Sequence, residues 1–270
     1  MIRRIFLATA IALAAVTASA QNATELVTLD SRQDSQGWEA VGRLNIDNSG
    51  FCTAALIRDR LLLTAAHCVY DSNNELISAD KLVFQAGLRN GRAAATRNII
   101  RIVAHPDYVP DGPTARVDGV RHDIAVLELS QPIRYSGIQP FPIAARPFAG
   151  DEVAIVSYGK NRAEAPSLQE SCTILGRQSG ALVMDCDVES GSSGSPVFRI
   201  QNGRAQIVSV VSAVAESSGN KISLGTSLQE PLQVLLAEFA ARGPAKPGGE
   251  QRLIQIGERN DTGAKFISSN

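Results

Sequence analysis

The stretch "SGSSGSP", residues 190–196, decides how the whole chain is read. By composition it is a flexible linker, because Gly/Ser clusters between structured runs are ordinarily loops. Its neighbours argue otherwise. "ALVMDCDV" (181–188) precedes it and "VFRI" (197–200) follows it, and both are strand-like. A linker between two such runs needs a reason, and the reason has to come from the rest of the chain.

The first twenty residues read "MIRRIFLATAIALAAVTASA". Arg3 and Arg4 give a positive start, Ile5 to Val16 is a short apolar run, and Ala18-Ser19-Ala20 is a small-residue cleavage site. This pattern predicts a secretory signal peptide over residues 1–20, removed after Ala20; the run is too short and wrongly flanked for a membrane span. No later stretch is apolar enough to cross a bilayer. The expected mature chain, residues 21–270, is long enough for one large domain or two small ones with real cores. The full chain has 26 basic and 27 acidic residues, and the leader removes two arginines and no acid, so the mature net charge is −3. That balance gives no reason to expect nucleic acid or an anionic membrane as a partner.

All four cysteines lie in the exported part, at 52, 68, 172 and 186. Their spacing points to two local pairs, Cys52 with Cys68 and Cys172 with Cys186, and export makes disulfides chemically reasonable. A four-thiolate zinc site would show C-x2-4-C pairs, and none exists. No metal and no cofactor is expected.

Short β-like runs fill the body: "WEAVGRLNI", "GFCTAALI", "KLVFQAG", "NIIRIVAH" and "DIAVLELS", then "DEVAIVSYG", "SCTILGRQ", "ALVMDCDV", "SPVFRI", "AQIVSVVSAVA" and "ISLGTSL". Turn residues separate them at short intervals, which argues for barrels or sandwiches rather than a βαβ array. Asn202-Gly203 and Asn90-Gly91 are two-residue hairpin signals. The proline-rich "QPIRYSGIQPFPIAARPFAG" reads as a crossing between two halves, with the boundary near residue 140. One helix is predicted over "PLQVLLAEFAARG", with Pro231 in its first turn, Gly243 at its end, and Leu232, Leu235, Leu236 and Phe239 on one apolar face. A linker, "GPAKPGGE", and a tail to Asn270 follow.

There are three histidines, His67, His105 and His122. His67 sits in "LLLTAAHCVY". Asp123 opens the apolar run of "RHDIAVLELS", and a carboxylate entering a core needs a partner. Taken singly, the histidine is a structural residue, the aspartate a strand-start cap and Ser193 part of a loop. Taken together, they run His, Asp, Ser along the chain, the order of a serine-hydrolase triad of the chymotrypsin type.

On these residues the sequence resembles the trypsin/chymotrypsin-like serine proteases over about residues 38–240. "LTAAHC" corresponds to the family's histidine motif and "HDIAVLEL" to its Asp-Ile-Ala strand. "GSSGSP" corresponds to its Gly-Asp-Ser-Gly-Gly-Pro, with Ser192 and Ser195 in place of Asp and the second Gly. The resemblance implies two six-stranded antiparallel β-barrels with a C-terminal helix: an N-terminal barrel over 21–140 carrying His67 and Asp123, a C-terminal barrel and helix over 141–243 carrying Ser193, and a tail over 244–270. It implies a secreted or periplasmic endopeptidase acting on polypeptides, here expected to be monomeric. His67 would be the general base, Asp123 its orienting partner and Ser193 the nucleophile. The N–H groups of Gly191 and Ser193 would form the oxyanion hole. "SGSSGSP" is then a rigid nucleophile loop.

The resemblance places the substrate pocket at Asp187 and Ser190 before the nucleophile and at Ser212, Ala213 and Val214 after it. Asp187 implies a Lys or Arg preference, whereas Val214 stands where trypsin-like enzymes keep a glycine and would block a long side chain. Glutamate preference is not expected, because the histidine with which glutamyl endopeptidases hold the substrate carboxylate is missing downstream of Ser193. Trypsin-type activation is not expected either. Ser192 is neutral, and "ELVTLDSRQDSQG" before Trp38 has no Ile-Val-Gly-Gly-like start. Two other readings compete. An α/β-hydrolase elbow would need Gly at position 195 and a histidine after Ser193, and has neither. A catalytically inactive protease homologue serving as a secreted binding module remains the alternative, and such proteins ordinarily lose a triad residue. A metalloenzyme is not expected from three scattered histidines without an H-E-x-x-H pattern.

Overall fold

The computed structural model describes residues 23–47, 49–110, 117–217 and 219–244. The expected signal peptide and nearly all of the tail lie outside the described residues.

Among the described residues, thirteen strands and two α-helices follow in chain order. β1 (Leu26–Thr28) comes first. β2 (Val41–Ile46), β3 (Gly50–Arg58), β4 (Leu61–Thr64), β5 (Leu82–Ala86), β6 (Ala95–Ala104) and β7 (Ala125–Leu129) close into a six-stranded barrel in the order β2-β3-β4-β7-β6-β5. β8 (Glu152–Gly159), β9 (Arg162–Gln178), β10 (Ala181–Met184), β11 (Pro196–Gln201), β12 (Arg204–Ser217) and β13 (Asn220–Ser227) form a second sheet in the order β9-β10-β13-β12-β11-β8. The pairing of β8 with β9 closes that set as well. Every ladder is antiparallel, and closure leaves few open edges. The all-β, two-barrel architecture expected from the resemblance is the one observed.

The residues explain the closure. Leu44, Ala54, Leu56, Leu62, Phe84, Val103 and Leu127 are fully buried inside the first barrel, and Ile155, Cys172, Leu182, Met184 and Val197 fill the second. Trp38, Phe141 and Phe198 pack as tilted rings against the larger core cluster, with ring centroids 4.7 Å apart for Phe141–Phe198 and 5.1 Å for Trp38–Phe198. Both Asn-Gly hairpins form with positive φ at each central residue, 49° and 74° at Asn90-Gly91 and 52° and 72° at Asn202-Gly203. This is the geometry whose twist matches paired strands.

Helix α1 is a single turn, Val117–Val120. Helix α2 (Gln229–Ala241) is the predicted helix; it buries Leu232 and Leu235 against the first barrel's core, with Leu236 and Phe239 partly covered. Gly243 has φ +67° just beyond its end, as a helix-terminating glycine should.

Three elements differ from the sequence reading. β1 falls within the residues assigned to the N-terminal barrel but pairs with β9, Leu26 opposite Gln169, and so belongs to the second sheet. β4 was not singled out, because "LLLT" is buried at every position and shows no alternation. β9 begins nine residues before the "SCTILGRQ" run; its first half holds Pro166 and several polar residues, which mask the pattern.

Candidate active site

His67 follows β4 in a 3₁₀ turn, Ala66–Val69, and Asp123 lies just before β7. β4 and β7 pair, Thr64 opposite Ala125, so the two residues emerge at the same end of the barrel. His67 Nδ1 is 2.7 Å from Asp123 Oδ2, and the His67 backbone N–H donates to Asp123 Oδ1 at 2.8 Å. Asp123 is 4% exposed. Its carboxylate therefore has the partners that a buried charge requires. A third donor is Ser212 on β12, whose hydroxyl bonds Asp123 Oδ2.

His67 titrates above the ordinary histidine value. Burial alone would lower it, but the charge of Asp123 and its hydrogen bond outweigh that and favour the imidazolium. The Nδ1 contact to a carboxylate sets the neutral tautomer with its proton on Nδ1, leaving Nε2 as the basic nitrogen.

Ser193 sits on the loop between β10 and β11. Two glycines make its path possible. Gly191 has φ +95°, and a Cβ there would lie 2.5 Å from Phe51 Cε2; Gly194 has φ +79°, and a Cβ would lie 2.1 Å from Thr64 Oγ1 and 2.2 Å from the Thr53 carbonyl oxygen. Thr53, fully buried on β3, clamps the loop to the first barrel. Its N–H donates to the Ser193 carbonyl at 2.8 Å and its hydroxyl to the Gly191 carbonyl at 3.0 Å. Its neighbour Cys52 is bonded to Cys68, the residue after His67. The nucleophile loop and the histidine turn are thus tied to adjacent residues of one strand. The second disulfide joins Cys172 to Cys186 ahead of the loop, so both expected pairs form.

The N–H groups of Gly191 and Ser193 have no protein acceptor among the described residues. No hydrogen bond joins Ser193 Oγ to His67 among the described residues; Nε2 lies 3.8 Å from Cys68 Sγ.

Asp187 is paired with Lys221 at 2.7 Å on a half-exposed surface, and its backbone N–H donates to Gln169 Oε1. Ser190 is exposed, with its carbonyl accepting from Lys160 N–H at 2.7 Å. Ser212 donates its hydroxyl to Asp123 Oδ2. Ala213 is half-buried, and Val214 is exposed beside a cavity of about 500 Å³ that Lys221 also lines. Thr53 and the interaction of Ser212 with Asp123 carry no local signal in the sequence.

Among the described residues, two clusters bring metal-ligating atoms within 4.8 Å of one another. In the first, Cys52, His67 and Cys68, both sulfurs are in the disulfide. In the second, His105, Asp107 and His122, the Asp107 N–H donates to His105 Nδ1 at 3.2 Å. Its Nε2 then carries the proton, and binding a metal there would cost that hydrogen bond.

A family profile described as Trypsin matches residues 30–234. The chain belongs to the Trypsin family, as its motifs and two barrels imply. Among curated proteins it is 25% identical over 171 residues to "Glutamyl endopeptidase" of Bacillus licheniformis, covering 63% of this chain and 52% of that one. It is 30% identical over 112 residues to "Coagulation factor IX" of Oryctolagus cuniculus, covering 41% and 37%. The chain spans about half the length, or less, of these curated relatives. A solved structure of Glu endopeptidase superimposes with a TM-score of 0.66 at 17% identity, covering 82% of this chain and 98% of that one. At that identity the likeness shows the fold.

Proposed function

We propose that the protein is an exported serine endopeptidase that hydrolyses peptide bonds through an acyl-enzyme, with His67, Asp123 and Ser193 as its triad. The observation that carries the proposal is the buried Asp123 carboxylate holding His67 through two hydrogen bonds, beside a nucleophile loop fastened to the same strand system. In the first step His67 Nε2 takes the Ser193 proton as Oγ attacks the carbonyl carbon. The oxyanion forms beside the N–H groups of Gly191 and Ser193. Imidazolium, stabilised by Asp123, then protonates the leaving amine, and water repeats the sequence to release the acid.

The substrate is a polypeptide. Asp187, the one feature that favoured Lys or Arg, is paired with Lys221 at 2.7 Å on a half-exposed surface. Two of the similar proteins are glutamyl endopeptidases, yet this chain has no histidine after Ser193. Export fits the leader-like residues 1–20 and the two disulfides, and among the described residues no helix is long and apolar enough to cross a membrane. We expect the mature chain to act as a monomer, without nucleic acid or a membrane.

The test is cleavage of a positional peptide library by the wild type and by Ser193→Ala. Turnover by the wild type that disappears in the variant is expected. A folded wild type without turnover would favour the inactive-homologue alternative.

A further inference from the structure

A loop that must aim two backbone N–H groups at one point, flanked by glycines on both sides, needs something to hold it. Thr53 holds it from the first barrel. The opposite side, at Ser192, is held from the β8–β9 hairpin. Arg162, the first residue of β9, sends Nη2 to Ser192 Oγ at 3.0 Å and to Ser157 Oγ at 2.9 Å, and Nη1 to the Ser157 carbonyl. Its Nε lies 3.1 Å from Glu189 Oε1, and only 13% of its side chain is exposed. Asn161 Nδ2 donates to the other Glu189 oxygen at 3.1 Å. Ser192 is fully buried; its hydroxyl also donates to the Tyr158 carbonyl at 3.2 Å and accepts the Glu189 N–H at 3.3 Å.

The charges of this network have a functional reading. In trypsin-type activation, cleavage makes an ammonium that pairs with a carboxylate just before the nucleophile. Here the residue before the nucleophile is a hydroxyl, the carboxylate stands three residues upstream at Glu189, and the cation is Arg162. All three belong to one chain, and the guanidinium reaches both by separate nitrogens, which a point charge could not do. Burying such a charge is costly unless each partner is in place. Arg162 titrates below the ordinary arginine value because of burial, and Glu189 and Asp187 oppose that. Among the described residues, no hydrogen bond joins residues 23–29 to residues 189–193.

We propose that Arg162 is a positioning residue that holds the Gly191–Ser193 turn in its oxyanion-binding form as the chain folds, without a new N-terminus. This rests on the serine-peptidase reading above.

The test compares the wild type with Arg162→Ala, Arg162→Lys and Ser192→Ala in kcat, KM and Tm, using a peptide the wild type cleaves. Arg162→Ala is expected to lower kcat about 100-fold, the size of losing an oxyanion-hole donor, with KM changed less than about threefold. Ser192→Ala should lower kcat by about tenfold, the worth of one hydrogen bond to a charged group. Arg162→Lys should restore part of the loss. Wild type with a short extension before Gln21 should keep full kcat. Folded Arg162→Ala with wild-type kcat and only a lower Tm would overturn the proposal, as would activity that appears only after a cut in residues 21–37. Should Arg162→Ala not fold, Ser192→Ala decides, and unchanged kcat there overturns the proposal. A wild type without turnover overturns the serine-peptidase reading and this proposal with it; an active wild type whose variants keep kcat overturns this proposal alone.

Discussion

The two barrels hold their halves of the site by different means. His67 and Asp123 stand at the ends of β4 and β7, where Leu61 to Thr64 and Ala125 to Leu127 are all buried. Hydrophobic packing fixes those strand ends, and the two side chains need only each other and Ser212. Ser193 stands on a loop outside any strand, shaped by two glycines at positive φ and held by Thr53 on one side and Arg162 on the other. Packing can place a side chain at the end of a strand. It cannot aim two unpaired backbone N–H groups, so a turn that does so must be braced by polar contacts from other elements.

The largest expected effect separates the two regions most sharply. Gly194→Ala should cost about 3 kcal/mol or more, because the new Cβ has no room against Thr64 and Thr53 and the backbone is in the left-handed region. Ala125→Gly, equally buried but on β7, should cost about 1 kcal/mol and leave activity largely intact. Urea unfolding and peptidase assays on both variants measure the difference. Equal costs would break the comparison.

The disulfides offer a second comparison. They close loops of sequence separation 16 and 14, so removing either pair should cost about 3 kcal/mol. Activity should not fall equally. Without Cys52–Cys68, His67 keeps its two bonds to Asp123. Without Cys172–Cys186, the segment leading into the braced loop is freed. Double alanine variants assayed below both melting temperatures should show the greater loss of kcat for the second pair; equal losses would count against the difference drawn here.

The smallest effect concerns pH. His67 must be neutral to act as a base, and its pKa is raised above 6.5. The acid limb of kcat/KM should therefore lie above pH 6.5, activity falling as pH drops through that limb. Stability runs the other way. The His67–Asp123 contribution is fully present below pH 6.5 and is lost as pH rises through the raised value. Ser212→Ala should lower kcat/KM about tenfold by removing one hydrogen bond to the carboxylate. A limb below pH 6.5 would mean that burial outweighs the charge and hydrogen bond of Asp123 at His67.

The first barrel was legible because its chemistry lies in short contiguous motifs: "LTAAHC" and "HDIAVLEL" each carry the reactive residue and the strand that places it. The nucleophile loop was legible only as far as its own residues reach. Thr53 acts on Ser193 across 140 positions and Arg162 on Ser192 across 30, and nothing at either position marks it locally. The same holds at Asp187, to which Lys221 comes through the β12–β13 hairpin, a contact no spacing reveals. The edge strand β1, three residues long, has too little pattern to be seen.

The most direct test of the account is covalent labelling of the folded, disulfide-bonded chain with a fluorophosphonate, with the modified residue mapped by peptide mass spectrometry. A single adduct on Ser193 is expected, formed faster as pH rises through the raised His67 pKa and abolished in His67→Ala. No adduct, or an adduct on another residue, would contradict it.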